Sequence, residues 1–264
     1  SGLAPFYLSM SRALDLLIDR EHVDPERIAV TGLSGGGWQT IVISALDPRV
    51  ALSNPVAGYS SYRTRAYHTK DLGDSEQTPS DLAALADYTH LTAMLAPRPA
   101  LLTYNSKDNC CFESGYALEP LLNAARPVYR LLDRDSALRT HINDEPGTHN
   151  YERDNREAFY AMLGEFFFAG DEAFDATEIE CEDQVLDAEP LFVEVPEDNA
   201  TFPSLAAELA ASLPRAAAWP EDDKKLAEWQ RARRGQLREV LHSHPVRIDA
   251  VAADSSDQDG LQVR

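Results

Sequence analysis

The sequence predicts an α/β protein: a parallel sheet of about four strands with flanking helices, then an acidic linker and a mostly helical C-terminal segment. Two observations carry the first part. Short β-branched or apolar runs alternate with segments of helical periodicity over the first 170 residues, and such alternation gives parallel pairing with crossover helices on both sheet faces. One of those runs also leads through a tight glycine turn directly into a helix. The third observation, a run of like charge, sets the end of this region.

The elements follow in order. Leu3 to Arg20 places Phe6, Met10, Ala13, Leu14, Leu17 and Ile18 at helical spacing. Asp24-Pro25-Glu26 is a turn. Ile28 to Gly32 is the first strand, opening onto Gly35-Gly36-Gly37 and a helix from Trp38 to Leu46. Val50 to Gly58 is a second strand. Residues 59–96 are polar, with a helical piece after Ser80, a suitable N-cap. Pro99 to Asn105 is the third strand, and Glu113 to Leu132 is mainly helical with an interruption at Pro127. Leu138 to Asn143 is a weaker fourth strand, and Tyr151 to Phe168 closes the region as an amphipathic helix.

Residues 171–200 hold twelve Asp and Glu and no Lys or Arg. They account for −12 of the formal net charge of −20, leaving −8 over the other 234 residues. Like charge with little periodicity marks an exposed connector. The expected organisation is therefore residues 1–170, an acidic linker at 171–200, and a helical segment at 201–264 leading towards a further domain. Phe202 to Leu213 and Asp222 to Leu241 are its helices, the second bearing Lys224, Lys225, Arg231, Arg233, Arg234 and Arg238. Val246 to Val251 reads as a short strand, and LQVR at the end as the start of another. The chain begins at Ser1 directly in helical sequence and is expected to be an excerpt of something longer.

Composition excludes two partner classes. A chain with 44 Asp and Glu against 24 Lys and Arg lacks the clustered cations that nucleic acid or an anionic membrane surface requires. No run approaches the roughly 20 apolar residues of a membrane span. Three cysteines, Cys110, Cys111 and Cys181, make neither a disulfide framework nor a four-ligand zinc site. Cys110-Cys111 is open to a metal pair or a strained adjacent-residue disulfide, with two small buried thiols beside a loop the favoured reading, and no metal or cofactor is assigned. Neither an oligomeric state nor a compartment is legible.

The segment richest in chemistry is Gly32-Leu33-Ser34-Gly35-Gly36, which fits the G-x-S-x-G nucleophile elbow. A serine on a sharp strand-to-helix turn occupies a strained backbone region, and neighbours without side chains let the turn close. The next helix aims its N-terminal dipole at the site, and the Gly35 N–H is one donor for a developing oxyanion. The pattern alone also describes an ordinary glycine-rich or phosphate-binding turn. Its strand-before, helix-after context favours the elbow, and no nucleotide-binding glycine motif is present.

A serine needs a base, and the base an orienting acid. Asp108 follows the third strand by three residues, and His149 follows the fourth by six, in PGTHNY. Each has an ordinary reading, as a turn aspartate and a helix-cap neighbour. Together with Ser34 they stand in the order Ser, Asp, His on loops at the C-terminal ends of strands. His22, His68, His90, His141, His242 and His244 are weaker candidates. Asp71, Asp74 and Glu76 are rival acids ranked below Asp108.

The runs VDPERIAVTGLSGGG, APRPALLTYNSKDNCCF and GTHNYERDNREAFY resemble the C-terminal half of α/β-hydrolase esterases, closest to the acetyl xylan esterase-like group. The resemblance covers about residues 1–170. It implies Ser34 as nucleophile, Asp108 as acid and His149 as base, an acyl-enzyme route, a small-molecule or carbohydrate ester as substrate, and frequent export. It also implies four strands before the elbow that this sequence does not contain, and with them a loop supplying a second oxyanion N–H. Losing one such donor costs about 10²–10³ in rate, so the isolated chain is expected to show little activity and to expose an apolar sheet edge at Ile28–Thr31. Two alternatives share the elbow: a peptidase of the prolyl oligopeptidase type, and a non-catalytic module with a vestigial site.

Overall fold

The computed structural model describes residues 3–213, 215, 220, 222–241, 243, 256–258 and 261–263. Two compact units divide the chain, Ser1–Val185 and Leu186–Arg264.

The first unit is built on four parallel strands: β1 (Ala29–Leu33), β2 (Leu52–Val56), β3 (Ala100–Asn105) and β4 (Leu138–Asn143), in that order across the sheet. Each was predicted to within two residues. All four C-terminal ends therefore lie on one edge. The helices are α1 (Leu3–Ile18), α2 (Gly35–Leu46), α3 (Tyr62–Tyr67), α4 (Ser80–Ala83), α5 (Tyr88–Ala93), α6 (Ser114–Leu131) and α7 (Arg153–Phe167).

The period-two alternation of a strand separates two cores. Ala100, Leu102 and Tyr104 of β3 pack with Trp38, Ile41 and Val42 of α2 and with the buried face of α6. Leu101, one residue out of phase, packs with Leu52, Phe159 and Met162, so α7 covers the other face. The sheet is thus covered on both sides, as the alternation predicted.

Several expectations are corrected. The segment 59–96 is not merely polar. Tyr59, Tyr88, Leu91 and Leu95 join the main core, and the guanidinium of the fully buried Arg65 lies against the rings of Tyr62, Tyr88 and Phe112. Ser80 is the first residue of α4, with Pro79 as its N-cap. α6 is not interrupted at Pro127 but runs through both Pro120 and Pro127. Each proline removes one backbone bond, and the buried row Leu118, Leu121, Leu122, Ala125 and Tyr129 holds the helix on the sheet regardless. On α1, Leu14 is buried but Ala13 and Leu17 are exposed. β1 is an edge strand, yet Ile28 is not exposed there, being buried with Leu14, Ile43 and Val50.

Residues 171–185 of the acidic stretch belong to the first unit. Glu178 accepts both a 2.6 Å bond from Arg156 Nη2 and a second from Arg156 Nε, which ties this segment to α7. The second unit contains α8 (Phe202–Ser212), α9 (Asp223–Val240) and an antiparallel pair, β5 (Ser256–Gln258) with β6 (Leu261–Val263). The strand expected at Val246–Val251, and both His242 and His244, lie outside the described residues.

Candidate active site

Ser34 stands between β1 and α2 with φ 58° and ψ −119°. An L-residue pays roughly 1–3 kcal/mol for such a backbone, and its neighbours hold it there. The Ser34 N–H donates to the Val56 carbonyl at 2.9 Å. A Cβ on Gly32 would lie 2.7 Å from the carbonyl carbon of Gly36, so the turn closes only with glycine at 32. The structure adds a requirement absent from the five-residue motif. Gly37 and Gly58 meet backbone to backbone, and a Cβ on Gly58 would fall 2.4 Å from Gly37 and Trp38 main-chain atoms. Ser34 is the N-cap of α2, and Gly35 begins it. Its N–H is among the first-turn donors that have no partner within the helix.

Asp108 and His149 meet. His149 Nδ1 lies 2.8 Å and 3.1 Å from the two carboxylate oxygens of Asp108. Asp108 is 2% exposed, and the amides of Cys110 and Cys111 donate to its Oδ1 at 2.9 Å and 3.1 Å. Burial pushes this carboxyl up. The bonds from His149, Cys110 and Cys111 outweigh that and hold it below the ordinary aspartate value. The imidazole is consequently oriented by Nδ1, which leaves Nε2 as its other nitrogen.

β4 is three strands from β1, roughly 14 Å at the usual spacing. The segment just after His149 nonetheless reaches β1. The Tyr151 hydroxyl meets that of Thr31 on β1 at 2.6 Å and accepts from Asn54 Nδ2 on β2 at 3.4 Å. Asn54 in turn accepts from Thr103 Oγ1 on β3 at 2.8 Å. This polar row crosses β1, β2 and β3.

A second network fixes the loops that carry Asp108 and His149. Asn105, the last residue of β3, donates to Asp108 Oδ2 at 3.3 Å and accepts from Asn155 at 3.1 Å. Asn155 also reaches both oxygens of Asn150, whose Nδ2 donates to Asn143 at the end of β4. The His149 N–H donates to Asn109 Oδ1 at 3.0 Å. Sequence reasoning missed Tyr151, Thr31, Asn54 and these asparagines. The available signal was the asparagine closing both β3 and β4.

The rival groups are engaged elsewhere. Asp71 is fully buried and accepts from Ser60 Oγ, the Phe112 N–H and the Tyr116 hydroxyl. His141, on β4, lies 2.8 Å from Asp154. The cysteine expectation is half corrected: Cys111 is buried, whereas Cys110 is exposed. Cys110, Cys111 and His149 are also the residues that bring potential metal-ligand atoms together among those described.

Residues 4–82 match the acetyl xylan esterase (AXE1) family. Ser34 is inside the match, and Asp108 and His149 are beyond it. No curated protein sequence matches the chain. Among solved structures, Methylesterase BT1017 is similar with a TM-score of 0.51 at 23% identity, over 64% of this chain and 36% of its own. A carbohydrate esterase family 15 glucuronoyl esterase from Caldicellulosiruptor kristjansonii aligns at TM-score 0.49 and 20% identity, covering 72% and 56%. The glucuronoyl esterase catalytic domain from Hypocrea jecorina aligns at 0.49 and 19%, covering 65% and 53%. The chain thus spans 36–56% of the length of these structures. The likeness to the methylesterase is one of fold, a partial α/β-hydrolase fold, and the family match places the acetyl xylan esterase resemblance on the residues around the elbow.

Proposed function

We infer that the protein is a serine hydrolase of carboxylic esters, acting on a carbohydrate ester such as an acetylated sugar through an acyl-enzyme. The observation that supports this most is the Asp108–His149 pair, 2.8 Å apart, with the His149 segment bonded through Tyr151 to β1, the strand that ends at Ser34's strained turn. The family match over residues 4–82 supports the substrate class.

In this reading Ser34 Oγ attacks the ester carbonyl while its proton passes to His149 Nε2. Asp108 holds the ring by Nδ1 and stabilises the imidazolium that forms. Negative charge gathers on the former carbonyl oxygen, where the Gly35 N–H and the N-terminus of α2 oppose it. Collapse expels the alcohol, which takes the proton back from His149. Water then attacks the acyl-serine with His149 again as base, releasing the acid and restoring Ser34.

Rapid mixing of the full-length protein with nitrophenyl acetate tests the route. An initial burst of nitrophenol, stoichiometric with protein and lost in Ser34→Ala, is the expected result. Steady release with no burst and no effect of the substitution would sink it.

A further inference from the structure

Two thiols flank the Asp108–His149 pair. Cys110 and Cys111 are free, with their Sγ atoms 3.1 Å apart. A ring nitrogen of His149 and both sulfurs all lie within 4.8 Å of one another. Two thiolates on a tetrahedral ion, bound at about 2.3 Å, stand roughly 3.8 Å apart. Only a small opening of the pair is required, and the exposed Cys110 has room to make it.

His149 is already set for such a role. Histidines that bind metals almost always give their second ring N–H to a carboxylate or carbonyl, which fixes the ring and raises its basicity. Asp108 accepts from His149 Nδ1 in that manner. The arrangement that orients an imidazole for proton transfer therefore also orients it for a cation.

We propose that Cys110, Cys111 and His149 form a binding site for a thiophilic divalent cation of the Zn²⁺ type. Two thiolates and one imidazole supply three ligands, and solvent completes the fourth position. Each thiol releases its proton to solvent as its sulfur binds, so the dication is neutralised by the two thiolates. The consequence for turnover rests on the reading of His149 as base. A metal on Nε2 takes the lone pair that Ser34 needs, and a metal on Nδ1 displaces Asp108. Loaded protein is thus unable to hydrolyse ester.

The test is a Co²⁺ titration of the full chain, kept reduced with a phosphine and followed by absorbance. Sulfur-to-cobalt charge transfer in the near ultraviolet, with the visible bands of tetrahedral cobalt, should saturate at one ion per chain. Cys110→Ser, at an exposed position, should weaken binding at least ~10-fold, since changes one shell further out already cost about 10–100-fold. Cys181→Ser should leave the titration unaltered. No charge-transfer band, or Co²⁺ binding indifferent to Cys110→Ser, overturns the proposal. Ser34→Ala separates it from the esterase reading, because that variant should lose nitrophenol release and still bind Co²⁺ as before.

Discussion

The Tyr151 hydroxyl lies 2.6 Å from that of Thr31, joining the loop that carries His149 to the strand that ends in Ser34's turn. Thr31 lies three positions before Ser34, and His149 two positions before Tyr151. Burial pushes the Tyr151 phenol up, against the opposing pull of Thr31 and Asn54, so it remains a neutral group at physiological pH. Tyr151→Phe should cost about 1 kcal/mol, or about 2–4 °C in melting temperature. Its larger effect should be on kcat, a fall of about 10²-fold at most with KM little changed, as for a small displacement of a catalytic group. Calorimetry and steady-state kinetics on the full-length protein check both.

In the proposed mechanism Asp108 acts on the ring rather than on substrate. Asp108→Asn keeps the shape of the side chain but offers His149 the wrong partner, so kcat should fall by about 10⁴-fold. Nitrophenyl acetate turnover measures it. A loss of tenfold or less would place the orienting role on another group.

Backbone contact at the elbow makes two glycines behave oppositely. Gly58→Ala puts a methyl 2.4 Å from the main chain of Gly37 and Trp38 and should destabilise by about 2 kcal/mol or more. At Gly35 a Cβ would meet nothing within 4 Å, so Gly35→Ala should change stability by about 0.5 kcal/mol or less. Urea unfolding of both variants distinguishes them.

Acid sensitivity follows from buried carboxylates. Asp47, 4% exposed, is held below the usual range by its bonds to Arg49, and Asp108 by its amide and imidazole partners despite burial. Both pKa values are depressed in the folded state, so the unfolded chain takes up protons first as pH falls. Their contribution is present above about pH 4 and is lost as pH drops through the lower folded values. Urea midpoints should therefore decline below about pH 4, and less steeply in Asp47→Asn. That variant should also be less stable at pH 7 by about 1–3 kcal/mol.

What could be read from residue order was what local chemistry dictates. The four strands and the elbow follow from β-branched runs and glycines in sequence, and β4 is placed as expected at Leu138–Asn143. Three kinds of feature were not legible. α6 survives Pro127 because long-range burial outweighs a lost backbone bond. Segment 59–96 is rich in polar residues, and no local pattern shows that some are buried against distant partners, as Asp71 is against Phe112 and Tyr116. The asparagine network and the Tyr151–Thr31 bond join residues up to 120 positions apart, where no local pattern registers.

Labelling of the full-length protein with a fluorophosphonate probe, followed by peptide mapping, tests the central claim most directly. Ser34 should carry the phosphonate, Ser34→Ala should carry none, and His149→Ala should react far more slowly. Labelling at a different serine, or none at Ser34 in folded protein, would contradict the account.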